Sequence, residues 1–162
     1  MTISTLINPQ PIRSELGDFS SIICFRAVVT GVEEALGEKA AAIALIAAGR
    51  ARGRQIAEQL GLKNSSTDLA GIATRLDEVL GKEGTRLCII DKITMDGTIR
   101  VYCRETICSS GESEGSNRKL TYTLGALQGA LEQITGHRLR GKQIESVLRG
   151  STHDVIEFAI LA

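Results

Sequence analysis

The sequence has no tryptophan, and only two tyrosines and three phenylalanines among its 162 residues. That removes most of the stacking platforms on which single-stranded nucleic acid is held. Neither sign of charge is in excess, since 19 Lys and Arg balance 19 Asp and Glu. The chain as a whole therefore sets up no long-range field that would draw it to nucleic acid or anionic lipid. Long apolar runs are missing too. The longest, AAAIALIAA at residues 40–48, is far short of the roughly 20 residues a spanning helix needs, so no transmembrane segment is expected. The first residues carry neither a basic cluster nor a sustained apolar stretch, so no secretory signal is expected and a cytoplasmic location follows. Proline is confined to Pro9 and Pro11, which suggests an N-terminal arm over residues 1–18 ahead of a single domain at 19–162.

Chemistry-bearing motifs are equally sparse. The four cysteines, Cys24, Cys88, Cys103 and Cys108, are expected to be reduced in a cytoplasmic protein and to act as small hydrophobes. Zinc calls for tighter, recurring cysteine or histidine pairs. Cys103 and Cys108 are five apart, which on a continuous strand places them on opposite faces. No metal site is expected. GRARG and GALQGA follow no strand and lack the Gly-Lys-Ser/Thr of a phosphate loop. Ser151, His153 and Asp154 fall in one turn and cannot converge as a triad. His137 and His153 are read as solvated, and Arg50, Arg52 and Arg54 as a solvated face with Glu58 as the partner of Arg54. No catalytic residue is assigned.

What the sequence does have is pattern. Ile22, Val29, Val32 and Leu36 predict a first helix that is capped by Asp18 or Ser20 and stops near Gly37. An alanine-rich helix follows over roughly Glu38 to Leu60, with Gly61 as its C-cap. Leu69, Ile72, Leu76 and Leu80 predict a third. TRLCIIDKI and TIRVYCRETIC around an MDG turn read as a β-hairpin, with Ile99, Val101 and Cys103 on its buried side. A polar loop at 109–117, expected to be mobile, leads to a fourth helix over 121–136 and a terminal hairpin in which Ile156, Phe158 and Ile160 face one way and Val155, Glu157 and Ala159 the other. Three helices, a hairpin, a helix and a hairpin make an α+β domain with an antiparallel sheet packed against helices.

Two of these helices carry glycine pairs at i, i+4: Gly49 with Gly53, and Gly125 with Gly129. Each interior glycine costs about 0.5–1 kcal/mol relative to alanine. Their shared spacing leaves a smooth groove against which either another helix, in the same chain or a second copy, or a ligand can come unusually close.

The segment FRAVVTGVEEALGEKAAAIALIAAGRARGRQIAEQLGL, together with LTYTLGALQGALEQITGHRLRGKQIESVLRGSTHDVIEFAIL, resembles the 4-vinyl reductase domain family, also called hydrocarbon-binding proteins. The resemblance spans roughly residues 19 to 161. It implies a fold shared with small subunits of the TRAPP vesicle-tethering complex and with haem nitric-oxide sensor domains. It also implies a homodimer and an interior cavity for an apolar or aromatic molecule, a tetrapyrrole or an acyl chain. The last hairpin here, SVLRGSTHDVIEF, lacks the two cysteines many members carry there, so zinc bound in the family manner is not expected. The expected function is a small-molecule-binding module with its cavity between helices and sheet, walled by Gly49, Gly53, Gly125, Gly129, Val101, Cys103 and Tyr122. A dimeric assembly factor without ligand is the alternative. A role beside tetrapyrrole vinyl reduction is a further one, although no motif for a hydride or electron source is present.

Overall fold

The computed structural model describes residues 12–65 and 68–162; Pro9, Pro11 and most of the expected arm lie outside the described residues. Helix α1 spans Ile22–Leu36, and its cap is Ser21, one residue beyond the expected position, whose side chain accepts from the Ile23 N–H. Asp18 instead takes the backbone N–H groups of Ile12 and Arg13. A single residue, Gly37 at φ +80°, separates α1 from α2, Glu38–Gln59. Only a residue free of a Cβ turns the chain so sharply without strain. Helix α3, Leu69–Leu80, is capped by Asp68, which accepts from the Gly71 N–H. Strands β1, Ile89–Asp96, and β2, Thr98–Arg104, form the first hairpin, turned at Gly97. Helix α4, Tyr122–Thr135, ends at Gly136 in the left-handed region. Strand β3, Leu139–Glu145, a 3-10 turn at Val147–Arg149, and β4, Asp154–Ile160, complete the chain.

The four strands form one antiparallel sheet in the order β1-β2-β4-β3. The domain is α+β with the element order read from the sequence. Helix α4 is the central layer. Ten consecutive residues, Thr123 to Glu132, are buried, as a helix enclosed on all sides must be. Leu124 lies over Gly141 and Phe158 of the sheet, while the other side of α4 rests on α2. In β4 the expected alternation holds only in part: Ile156 and Phe158 are buried, but so is Val155, and Ile160 at the strand's end is 43% exposed.

Asp154 sets the loop geometry. It is fully buried and accepts from Thr106 Oγ1 and Ser109 Oγ, both at 2.7 Å, from Gln143 Nε2 at 3.3 Å and from the Val147 N–H at 3.1 Å. The loop at 109–117, expected to be loose, is tied by polar contacts in place of apolar ones. Glu112 pairs with Arg26 and Arg118, and Gly115 N–H donates to Leu148 O.

Candidate functional site

The four glycines meet in one place. A Cβ on Gly53 would collide with the Ala126 carbonyl, and one on Gly129 with that of Arg50. The same holds for Gly49 against Tyr122 and Ala126, and for Gly125 against Ile46. Each glycine faces backbone of the opposite helix, so α2 and α4 lie in direct contact within one chain. Of the readings left open by the sequence, this is the helix-on-helix one.

That contact is clamped at one end by a carboxylate. Glu132, on α4, accepts from Arg50 Nε and Nη2 at 2.7 and 2.8 Å, from Arg54 Nη2 at 3.1 Å and from the Leu139 N–H at 2.9 Å. Burial raises its carboxyl, but the donors from Arg50, Leu139 and Arg54 outweigh that and hold it below the ordinary glutamate value. Arg50 and Arg54 therefore bridge two helices and do not form the purely solvated face expected. Glu58 accepts from Gln133.

Val101 and Cys103 are fully buried on the helix side of β2. The neighbouring Cys88 thiol, together with burial, pushes the Cys103 thiol well up. His153, read as solvated, hydrogen-bonds Asp91 through Nε2 at 2.8 Å and stands edge-on to Tyr102. Asp91 also takes two bonds from Arg104, which with His153 bring its carboxyl down to about 2 against the opposing effect of burial. Among the described residues no group of three or more His, Cys, Asp or Glu is placed to hold a metal ion. No helix among them is long and apolar enough to cross a membrane.

An open cleft of about 440 Å³ lies where α1 crosses the α2–α4 pair. Its apolar wall comes from Phe25 and Val28 of α1, Ile56 of α2, Leu80 of α3 and Leu87 just before β1. Tyr122 and Ala126 of α4 form its floor, and Phe19 and Ile22 its rim. Phe25 and Tyr122 meet edge to face at 4.9 Å, a favoured aromatic geometry. Burial pushes the Tyr122 phenol up, with Arg52 pulling the other way. Two buried hydroxyls, Thr85 Oγ1 and Thr123 Oγ1, lack a partner, and Thr85 lines the cleft. A buried hydroxyl left unpaired costs about 1–3 kcal/mol, so an unpaired hydroxyl on a cavity wall is a natural contact for a ligand's polar group.

Of the seven residues singled out in the sequence, Tyr122 lines this cleft; the glycines fill the α2–α4 contact, and Val101 and Cys103 belong to the sheet core. Thr85, Phe25, Ile56 and Leu87 carry no periodic signal that marks them as wall residues. Phe25 could have been noticed, being one of three phenylalanines in the chain. A second groove, about 710 Å³, runs between the α1–α2 corner and β3, with Glu33, Glu34 and Glu38 facing Arg118, Lys119 and Lys142. Glu33 and Arg118 form an ion pair across it. Ala42, Ile46, Leu120 and Leu124 line it between these charged side chains.

No protein-family model matches the sequence, and no curated protein matches it. Solved structures do. The phenol-responsive sensory domain of the transcription activator PoxR, crystallised with phenol, superposes with a TM-score of 0.67 at 12% identity, covering 96% of this chain and 87% of that one. The trafficking protein particle complex subunit 3 from Naegleria fowleri, covalently bound to palmitic acid, gives 0.54 at 15% identity, covering 87% and 93%. This chain shares their fold. The likeness agrees with the fold that the sequence resemblance implied; membership of the 4-vinyl reductase family does not follow from it.

Proposed function

We propose that the chain is a small-molecule-binding module whose site is the cleft between α1 and the α2–α4 pair. One observation carries the reading: a mostly apolar hollow of about 440 Å³, one of whose lining residues, Thr85, holds a buried, unpartnered hydroxyl. Ligand sites are typically hollows of roughly 300–1,000 Å³ with apolar walls and a few placed polar groups. Burying an apolar ligand against Phe25, Ile56, Leu80 and Leu87 supplies affinity; Thr85 and the Tyr122 hydroxyl supply orientation. A cavity of about 150 Å³ holds one benzene, so a single-ring molecule would fill about a third of this one. The ligand that fits is larger, either a fused or linked ring system or a branched aliphatic body, carrying one group that hydrogen-bonds. That two proteins of the same fold were crystallised with phenol and with palmitic acid supports the class of function.

The test is direct. Native mass spectrometry of the purified protein should reveal a retained small molecule, and the neutral probe N-phenyl-1-naphthylamine should gain fluorescence on binding and be displaced by it. Tyr122→Ala should weaken probe uptake. A protein that retains nothing and leaves the probe dark would overturn the reading.

A further inference from the structure

The hydroxyl oxygen of Thr85 is buried although its residue lines the cleft. A ligand can hydrogen-bond that oxygen only after a wall of the cleft has moved. Most of the wall is fixed. Ile56 of α2, Leu80 of α3, Ala126 of α4 and the neighbouring Leu87 all belong to the main buried core. Helix α1 is held differently. Val29 is its one buried residue, and it packs with Ala41 and Leu45 of α2 in a small cluster apart from that core. Of α1, the half-buried Phe25 alone reaches the main core. Elements with so few buried apolar contacts are the ones that open first.

The joint is equally spare. Gly37 is the whole connection between α1 and α2, and it makes no side-chain cap to α2. A Cβ built on it would meet nothing within 4 Å. A residue at the junction of two elements is where hinges form.

Charge fastens what packing does not. Arg26 Nη2 donates to Glu112 Oε1 at 2.5 Å, and its guanidinium lies against Gly111. Arg118 Nε pairs with the same Glu112 oxygen at 3.1 Å, and Arg118 also pairs with Glu33 of α1. Arg26 and Glu33 stand two turns apart on one face of α1, and both reach residues 112–118. That loop is itself anchored, since Gly115 N–H donates to Leu148 O at 2.7 Å and Arg149 Nη1 to Ser116 O at 3.0 Å. None of the four charged residues lines the cleft.

We infer that α1 is a lid over the ligand cleft, hinged at Gly37 and latched to the 112–118 loop by Arg26, Glu33, Glu112 and Arg118. The inference rests on the binding site proposed above. A ligand enters when the ion pairs part and α1 swings outward, carrying Phe25 off the Tyr122 ring. The pairs then re-form and close the lid. Entry and exit both require the latch to open, so it governs rates more than affinity.

Stopped-flow fluorescence with N-phenyl-1-naphthylamine tests this. The probe is uncharged, so salt acts on the latch. Sodium chloride at about 1 M screens the ion pairs and should speed both association and dissociation. Glu112→Gln and Arg118→Gln each remove two of the three ion pairs. Each should raise both rates about two- to fivefold, the range of partly exposed pairs, and change Kd by less than either rate. Arg140→Gln, exposed on β3, is the control and should change neither rate. Without probe, amide exchange read by mass spectrometry should show residues 22–36 exchanging ahead of α4, and faster still in both variants. Circular dichroism checks the fold of each variant, and the salt series on the wild type needs no substitution. Probe uptake at rates indifferent to salt and to both variants overturns the latch and leaves the site standing. A rise in dissociation alone also overturns it, since that marks a fixed wall. A probe that stays dark with every protein overturns the site and the lid together.

Discussion

Gly53 of α2 lies against Ala126 of α4 so closely that a Cβ built on it would stand 2.8 Å from the Ala126 carbonyl carbon. The obstacle is backbone inside a helix, which cannot rotate aside as a side chain does. Gly53→Ala should therefore push α2 and α4 apart and destabilise the domain by about 2–3 kcal/mol, the upper range for overpacking. Gly31, on the open side of α1 with nothing within 4 Å of a built Cβ, is the control. There the same change should be neutral or add up to about 1 kcal/mol, since only helix propensity is altered in the protomer. Urea unfolding of the two variants tests both expectations, and equal effects would refute the close-contact account.

Glu132 yields a second prediction. Its carboxylate is 6% exposed, whereas Arg50 and Arg54 keep 30% and 46% of their side chains in water. Glu132→Ala leaves Leu139 N–H without an acceptor and two arginines without their partner, and should cost about 2–4 kcal/mol. The pH dependence has a definite sign. The folded state holds this carboxyl below its ordinary value, so the unfolded chain binds the proton more readily. The stabilisation is present above the unfolded value of about 4.3 and is lost as pH falls through the folded one. Glu132→Gln should flatten the melting temperature against pH in that acid window.

On the outer face of the sheet Asp91 behaves alike in sign but not in size. Its pKa of about 2 means that its contribution persists down to more acid pH and fades between about 4 and 2. Asp91 and Arg104 are 31% and 46% exposed, so solvent screening keeps the pair near or below about 1 kcal/mol. Asp91→Asn should lower the melting temperature by only a few degrees at neutral pH, and high salt should shrink the difference.

Much of this architecture can be read along the chain. Gly37, Gly61 and Gly136 end or separate helices where periodicity stops, and the MDG turn sets the register of β1 on β2. The two glycine pairs stood out because their spacing is a local property, and local spacing is what sequence exposes. Partners across the fold are not. Arg54 has Glu58 one turn away in sequence, yet it turns to Glu132, 78 residues on, because α4 brings a less exposed carboxylate within reach. The cleft was equally hidden. Its wall is assembled from the ends of four helices and one connection, and Thr85 matters only because no donor or acceptor happens to face its hydroxyl. The inward side of a strand is a sound place to expect a cavity wall, but Val101 and Cys103 are fully buried within the core cluster. Tyr122 was legible because an aromatic at a helix entry is rare in this composition.

Thr85 itself gives the sharpest separation of stability from binding. In the free protein its buried hydroxyl is unpaired, so replacing it by a methyl removes a group that was desolvated without return. Thr85→Val should leave stability unchanged or raise it by up to about 1 kcal/mol, as apolar replacement of an unsatisfied group does. If the hydroxyl meets the ligand, the same substitution should weaken binding of the retained molecule about 5–10-fold, the equivalent of roughly 1–1.5 kcal/mol for one neutral hydrogen bond. Melting temperature and displacement of N-phenyl-1-naphthylamine by that molecule read the two effects separately. A variant that is destabilised would show that Thr85 has a structural partner. A variant that binds the molecule as tightly as the wild type would remove Thr85 from the site.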